Sequence, residues 1–208
     1  MNYVNADLHE QETFGAVKGQ LAVILNGPPG CGKDTLAKAL SEVQPEFKVT
    51  EFKEALYLKT ADYYGHDLVE FTEAATDRVL KEELYYCPTK DLYFPVTPRE
   101  MLIQVSEVVI KPKYGDDYFG LAAGKTALSR GPFAVFSDGG FDQEVDALLE
   151  YFNHVLVIQL HRDGYTFEGD SRNYIGSDYS VVLKDNEERK GLSDIIGEID
   201  EYVRTIST

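Results

Sequence analysis

Short apolar runs alternate with amphipathic stretches along most of this chain. Leu21–Asn26, Phe133–Phe136 and Val155–Leu160 are dominated by apolar residues, and each predicts a strand that is buried on both faces. Phe47–Phe52 alternates between apolar and polar positions and predicts a short strand, and Ser180–Leu183 is predicted as the last strand. Because helical stretches separate the strands, the pattern predicts an α/β fold with a parallel sheet covered by helices on both faces.

Apolar residues recur at helical spacing between the predicted strands. The stretches predicted as helices are Asp34–Val43, Lys53–Tyr64, Glu70–Leu84, Asp117–Ser129, Asp142–Phe152 and Leu192–Ile206. Thr97 is predicted to cap one more helix, because Pro98 suits the first helical position and Glu100 the third. We expect this helix to end at Lys111-Pro112, since proline breaks a helix.

The loop after the first strand carries the strongest chemical signal in the sequence. It reads Gly27-Pro28-Pro29-Gly30-Cys31-Gly32-Lys33-Asp34-Thr35, which has the G-x-x-x-x-G-K spacing of a phosphate-binding P-loop. Backbone N–H groups and the helix N-terminus would surround a β-phosphate, and Lys33 would bridge the terminal phosphates. Asp34 takes the position where Ser or Thr usually holds Mg²⁺, and Thr35 follows it. The sequence therefore predicts a three-layer P-loop NTPase fold.

A second Gly-Lys-Thr tripeptide, Gly124-Lys125-Thr126, lacks this context. No glycine lies five positions before it, and a helix rather than a strand precedes it. We expect Lys125 to be a surface lysine.

Four further charged residues are candidates for catalysis. Asp138 ends a buried strand, where it could orient Mg²⁺, act as a general base, or simply cap the next helix. Arg99, at the start of its predicted helix, could face an anion or be solvated. Arg162 and Arg172 flank a polar loop that predicts a lid over transferring phosphates, with solvated loop arginines as the alternative.

Charge and composition narrow the class of partner. The chain has 208 residues with 36 acidic and 20 basic side chains, for a net charge of −16, which disfavours extensive contact with a nucleic acid duplex. Two cysteines and the absence of a signal-peptide pattern in Met1–Gln20 suggest a cytoplasmic protein. We expect residues 1–18 to form an arm and residues 19–208 a single domain without a membrane partner.

Taken in order, these motifs resemble the P-loop nucleoside monophosphate kinases, and most closely the phage deoxynucleoside monophosphate kinases. The variant Gly32-Lys33-Asp34-Thr35 is typical of that branch. The other similar segments are Phe52–Leu56, Thr97–Gln104, Asp117–Phe119, Asp138–Glu144, Arg162 with Asp170-Ser171, and Leu183–Asn186. A phage-encoded enzyme of this kind would act in the host cytoplasm.

The resemblance implies transfer of the γ-phosphoryl group of ATP to a deoxynucleoside monophosphate, with Mg²⁺. It implies that Gly27–Thr35 cradles the donor and that Asn186 lies beside its adenine. Asp34, Thr35 and Asp138 would organise the metal. Arg99 would position the acceptor, while Arg162 and Arg172 would close from the lid.

Two other functions stay open, and Gly140 is the reason for the first. It stands where the family's D-x-R-F stretch has an arginine that is expected to grip acceptor phosphate. Related phage kinases phosphorylate the hydroxymethyl group of 5-hydroxymethyluracil in DNA, an alcohol acceptor that would need a base such as Asp138. A nucleotide-dependent switch or NTPase that serves a protein partner is the third possibility.

Overall fold

A five-stranded parallel sheet lies at the centre of the chain, in the order β2-β5-β1-β6-β7. The computed structural model describes residues 19–170, 172–176, 180–184 and 188–206. The described strands are β1 Leu21–Asn26, β2 Phe47–Thr50, β3 Tyr86–Cys87, β4 Leu92–Tyr93, β5 Phe133–Phe136, β6 His154–His161 and β7 Ser180–Lys184. β3 and β4 form a separate antiparallel hairpin, so the five predicted strands all belong to the main sheet.

Helices cover the sheet and fill the long connection between β2 and β5. They are α1 Lys33–Val43, α2 Glu54–Tyr64, α3 Leu68–Thr76, α4 Pro98–Ile103, α5 Lys111–Tyr114, α6 Tyr118–Arg130, α7 Asp142–Leu149 and α8 Glu188–Ile206. Within the described part of the chain, none of them has the length and apolar character needed to cross a bilayer.

The side chains of β1 alternate between two apolar cores. Leu21, Val23 and Leu25 pack on the side of α1 and α8, whereas Ala22 and Ile24 pack on the side of α6 and α7. All five are fully buried because helices lie on both faces of a parallel sheet. The chain thus has the three-layer α/β architecture of P-loop NTPases, as the sequence predicts.

The connection between β2 and β5 has a small core of its own. Its buried members come from α2, α3, the β3–β4 hairpin region and α4; they are Tyr57, Ala61, Phe71, Ala75, Tyr85, Cys87 and Met101. The predicted helix over Glu70–Leu84 is wrong beyond Thr76. The carboxylate of Asp77 accepts hydrogen bonds from the backbone N–H groups of Val79 and Leu80, which starts a 3-10 turn in place of another helical turn.

The helix after Thr97 begins as predicted and continues past its predicted end. Thr97 and Glu100 form the reciprocal capping box, with each side chain accepting from the other's backbone N–H. The helix does not stop at Pro112. It widens into a π-helical segment, Gln104–Ile110, and then resumes as α5. The wider turn comes just before the proline, whose ring would clash with the carbonyl of Val108 in a regular α-helix.

Asn26 links three segments at the carboxyl end of β1. Its side chain is fully buried, and its Nδ2 donates to the carbonyls of Gly139 at 3.1 Å and Asn173 at 3.0 Å. Its Oδ1 accepts from the backbone N–H of Ile175 at 2.9 Å. The end of β5 and residues 172–176 are therefore both held against the strand that leads into the P-loop.

Asn26→Ala should lower the free energy of unfolding by about 2–4 kcal/mol, because three backbone groups lose their partner and two of these hydrogen bonds are buried. Urea unfolding followed by circular dichroism measures the change. Asn153→Ala is the matched control, since Asn153 is exposed and its side chain accepts a solvent-exposed hydrogen bond from the backbone N–H of Gln20. Equal losses in the two variants would show that Asn26 does not hold this edge together.

Candidate functional site

The P-loop turns into α1 through two glycines in the left-handed region. Gly30 has φ 78° and Gly32 has φ 104°, which other residues adopt only with strain. Lys33 is 6% exposed, and its Nζ donates to the carbonyls of Gly27 at 2.7 Å and Pro28 at 2.9 Å. Burial lowers the pKa of Lys33, and the positive charge of Arg172 lowers it further. The lysine is thus held at the carboxyl edge of the sheet, folded onto its own loop.

Asp34 and Ser137 join the first turn of α1 to the end of β5. The Ser137 hydroxyl donates to Asp34 Oδ1 at 2.7 Å, and Thr35 is exposed on the same turn as Asp34. Oxygen ligands of this kind suit Mg²⁺, which commonly binds one or two carboxylates and takes its other ligands from phosphates and water. Residues 19–170, 172–176, 180–184 and 188–206 contain no group of three metal-ligand side chains. A Mg²⁺ held by Asp34, Thr35 and Asp138 would therefore depend on the nucleotide for its remaining ligands.

Asp138 holds the segment that follows β2. Its Oδ1 accepts from the N–H of Phe52 at 2.9 Å and its Oδ2 from the N–H of Lys53 at 3.2 Å. Burial raises the pKa of Asp138, while these hydrogen bonds and the Lys53 charge oppose the rise. Glu51 lies 3.5 Å from the Lys53 ammonium. Burial raises the pKa of Glu51, and the negative charge of Asp138 also raises it, whereas the positive charge of Lys53 lowers it. Asp138 therefore lies in a charged cluster at the sheet edge.

The cap of α7 is Glu144 rather than Asp138. Glu144 Oε2 accepts from the N–H groups of Gly140 at 2.7 Å and Phe141 at 3.0 Å. Burial raises the pKa of Glu144 to about 7, and the nearby charge of Asp138 adds to the effect. This role of Glu144 was not predicted, although a Glu at the third position of a predicted helix, here the one from Asp142, is a capping signal.

The first part of the loop after β6 lies against the P-loop. The Arg162 guanidinium stacks on the Tyr165 ring, 4.9 Å from its centroid. A Cβ placed on Gly30 would lie 3.1 Å from Tyr165, and one on Gly32 would lie 4.0 Å from the Arg162 Nη1. Both side chains therefore sit beside the loop that the sequence predicts to hold phosphates.

The second part of this loop is attached to the sheet. Arg172 makes a bidentate ion pair with Asp170, with Nε–Oδ1 and Nη2–Oδ2 distances of 2.9 and 2.7 Å. The next residue, Asn173, donates its N–H to the Gly140 carbonyl at 3.2 Å. Where the sequence predicts one lid that carries both arginines, the structure gives Arg172 a fixed place at the end of β5.

The structure does not bring every predicted site residue to the carboxyl edge of the sheet. Lys33, Asp34, Asp138 and Arg172 gather there, with Arg162 beside the P-loop. Arg99 pairs instead with Glu82, at 2.6 Å and with both side chains half exposed, and among the described residues it makes no contact with the P-loop. Cys31 is buried and Pro29 exposed. Asn186 and the arm over residues 1–18 lie outside the described residues.

Glu144→Gln should change how stability depends on pH. Folded Glu144 has a pKa of about 7 against its usual value of 4.5, so the folded state binds its proton more tightly than the unfolded state does. The stability it contributes is complete below pH 4.5 and lost as pH rises through 7. Glutamine keeps an acceptor and carries no charge, so the variant should gain about 1–3 kcal/mol relative to the wild type between pH 5 and pH 8.

Urea unfolding at the two pH values measures this difference. Glu150→Gln, at an exposed position after the same helix, is the control for the change in net charge. A parallel response of the two variants would mean that Glu144 titrates like a surface carboxylate.

Comparisons with known proteins find likenesses to P-loop kinases at low sequence identity. The family model described as magnesium chelatase, subunit ChlI, matches residues 7–72, less than half of the chain. No curated protein matches.

Three solved structures of kinases are similar to this chain. A gluconokinase from Sinorhizobium meliloti 1021 is 14% identical with a TM-score of 0.44, and the match covers 91% of this chain and 93% of the gluconokinase chain. A sugar kinase from Janibacter sp. HTCC2649 is 13% identical with a TM-score of 0.43, and the match covers 87% of this chain and 94% of the sugar kinase chain. The hexameric APS kinase from Thiobacillus denitrificans is 15% identical with a TM-score of 0.40, and the match covers 88% of this chain and 29% of the APS kinase chain. The fold assignment rests on the sheet and on the loop between β1 and α1.

Proposed function

We propose that this protein is an ATP-dependent phosphotransferase that moves the γ-phosphoryl group to a nucleotide-type acceptor, a deoxynucleoside monophosphate. The observation that carries the proposal is the position of Lys33. It is a buried cation at the start of α1, in a loop with P-loop spacing at the carboxyl edge of a parallel sheet. Ligands bind at this edge in open α/β sheets, beside the strand where the order reverses.

Donor phosphates would replace the partners that Lys33 has now. Its ammonium donates to two loop carbonyls, and a phosphate oxygen offers a stronger, charge-assisted partner within the same reach. The N–H groups of the loop and the N-terminus of α1 would bind the β-phosphate. Lys33 would then stabilise the charge that develops on the β–γ bridging oxygen as its bond to the γ-phosphorus breaks.

Asp34, Thr35 and Asp138 are the residues proposed to hold Mg²⁺, with Ser137 orienting Asp34. When bound, the metal would supply positive charge to the β- and γ-phosphate oxygens. The exposed first turn of α1 and its hydrogen bond to the end of β5 support this placement.

The environment of Asp138 favours a phosphate acceptor over an alcohol. An alcohol must lose a proton as its oxygen forms the new bond to phosphorus, so that reaction needs a free base. Each oxygen of Asp138 accepts one backbone hydrogen bond from the segment before α2. These bonds stabilise the charged carboxylate and so make it a weaker base, while a second lone pair on each oxygen could still bind Mg²⁺. A monophosphate attacks the γ-phosphorus with an oxygen that is already anionic. The products are the nucleoside diphosphate and ADP. We therefore place the 5-hydroxymethyluracil acceptor second.

Lys33→Ala should lower the rate of ADP formation at least about 100-fold, because the charge at the bridging oxygen is no longer compensated. ATP turnover and ATP binding by calorimetry measure the effect. Lys125→Ala is the matched control, since Lys125 lies in the other Gly-Lys-Thr tripeptide, exposed on α6. Turnover that survives in Lys33→Ala would contradict the donor assignment.

An acceptor screen tests the second substrate. We expect the four common deoxynucleoside monophosphates, or a subset of them, to accelerate ADP formation and to appear as diphosphates by chromatography. Stimulation by DNA that contains 5-hydroxymethyluracil, without stimulation by monophosphates, would replace our acceptor with the second one. ATP hydrolysis stimulated only by a protein partner would exclude both kinase functions.

A further inference from the structure

Gly140 leaves room for the side chain of Arg172. A Cβ placed on Gly140 would lie 2.5, 2.6 and 2.8 Å from the Cβ, Cγ and Cδ of Arg172, well inside contact distance. Gly140 does not have a positive φ, so its backbone conformation is open to any residue. Glycine is therefore required at this position by the arginine that crosses it.

The backbone on both sides holds this crossing in place. Asn173 donates to the Gly140 carbonyl, and the side chain of Asn26 contacts the carbonyls of Gly139 and Asn173. Glu144 binds the N–H of Gly140 from the other side. The stem of Arg172 is consequently fixed over the end of β5, and its side chain is only 25% exposed.

The guanidinium of Arg172 is already arranged for an anion with two oxygens. It binds both carboxylate oxygens of Asp170 in parallel, the geometry with which arginine also binds phosphate. It lies close enough to Lys33 for the two positive charges to interact, and the charge of Asp170 acts on both. Arg172 is thus paired with Asp170, and the charges of both act on Lys33 of the P-loop.

We propose that Arg172, crossing Gly140, is the binding residue for the phosphate of the acceptor, and that Asp170 is its partner only until the acceptor arrives. The inference rests on the proposed function, since it names the site of that reaction's second substrate. It changes the role that the sequence predicts for Arg172, from a lid residue over the donor to a fixed residue for the acceptor. The absence of an arginine at position 140 then does not remove the cation from this place, because position 172 supplies it.

Steady-state kinetics with separate titrations of ATP and of each deoxynucleoside monophosphate test the proposal. Arg172→Ala should raise the acceptor KM about 10- to 100-fold, the loss expected for a charged hydrogen-bonded pair, and should leave the KM for ATP unchanged. The acceptor KM of Arg172→Lys should fall between those of the wild type and Arg172→Ala, because lysine keeps the charge without the bidentate geometry. Arg204→Ala, exposed on α8, controls for the loss of a positive charge.

Gly140→Ala tests the crossing itself. The methyl group should displace Arg172 and raise the acceptor KM. Adding Gly140→Ala to Arg172→Gly should produce no further loss, since Arg172→Gly also removes the Cβ that lies 2.5 Å from the added methyl group. Gly197→Ala is the control, because among the described residues nothing beyond its chain neighbours and the nearby backbone of its own helix lies within 4 Å of its added Cβ. Should Gly140→Ala fail to fold, recovery of folding in the double variant would itself support the clash.

The outcomes separate this inference from the proposed function. An acceptor KM that stays within about twofold of the wild type in both Arg172 variants would overturn the inference and leave the kinase function intact. A wild type that binds ATP but responds to no monophosphate would overturn the acceptor and this site together, and would leave the donor site standing.

Discussion

The hydrogen bonds of Asn26 fix the relative positions of the three segments that form the candidate site. Asn26 is the last residue of the central strand, and its side chain contacts backbone groups 113 and 147 residues further along the chain. A buried amide without partners is costly, so each of these bonds constrains where the other segments can lie. The P-loop begins directly after Asn26, β5 ends beside it, and the Arg172 segment runs across both.

This constraint explains how an acidic protein gathers its cations at one edge of the sheet. The chain carries a net charge of −16, and at this edge Lys33 and Arg172 each have carbonyl or carboxylate partners. Carboxylates there are also held by backbone N–H groups, two for Asp138 and two for Glu144. The site thus brings together cations and carboxylates that are each held by specific partners. Such an arrangement suits a small anionic ligand better than a nucleic acid duplex.

Features set by neighbouring residues could be predicted from the sequence, and features set by distant ones could not. The buried strands, the P-loop and the capping box of Thr97 and Glu100 all depend on local pattern, and the structure contains each of them. The helix predicted across Asp77 failed because a local side chain competed with the helix for backbone N–H groups. The long-range hydrogen bonds of Asn26 and Asp138 could not be predicted for a different reason. Asp138 binds a segment 85 residues earlier, and no periodicity reports such a contact.

The crossing of Gly140 by Arg172 also limits how this sequence can vary. A side chain can be accepted at position 140 only after the side chain at position 172 has been lost to glycine or redirected, because the Cβ atoms themselves would lie 2.5 Å apart. The reverse order, in which an arginine first appears at position 140, would force two stems together. Among natural relatives of this chain, the two positions are therefore coupled, and a large residue at one should be accompanied by a small residue at the other.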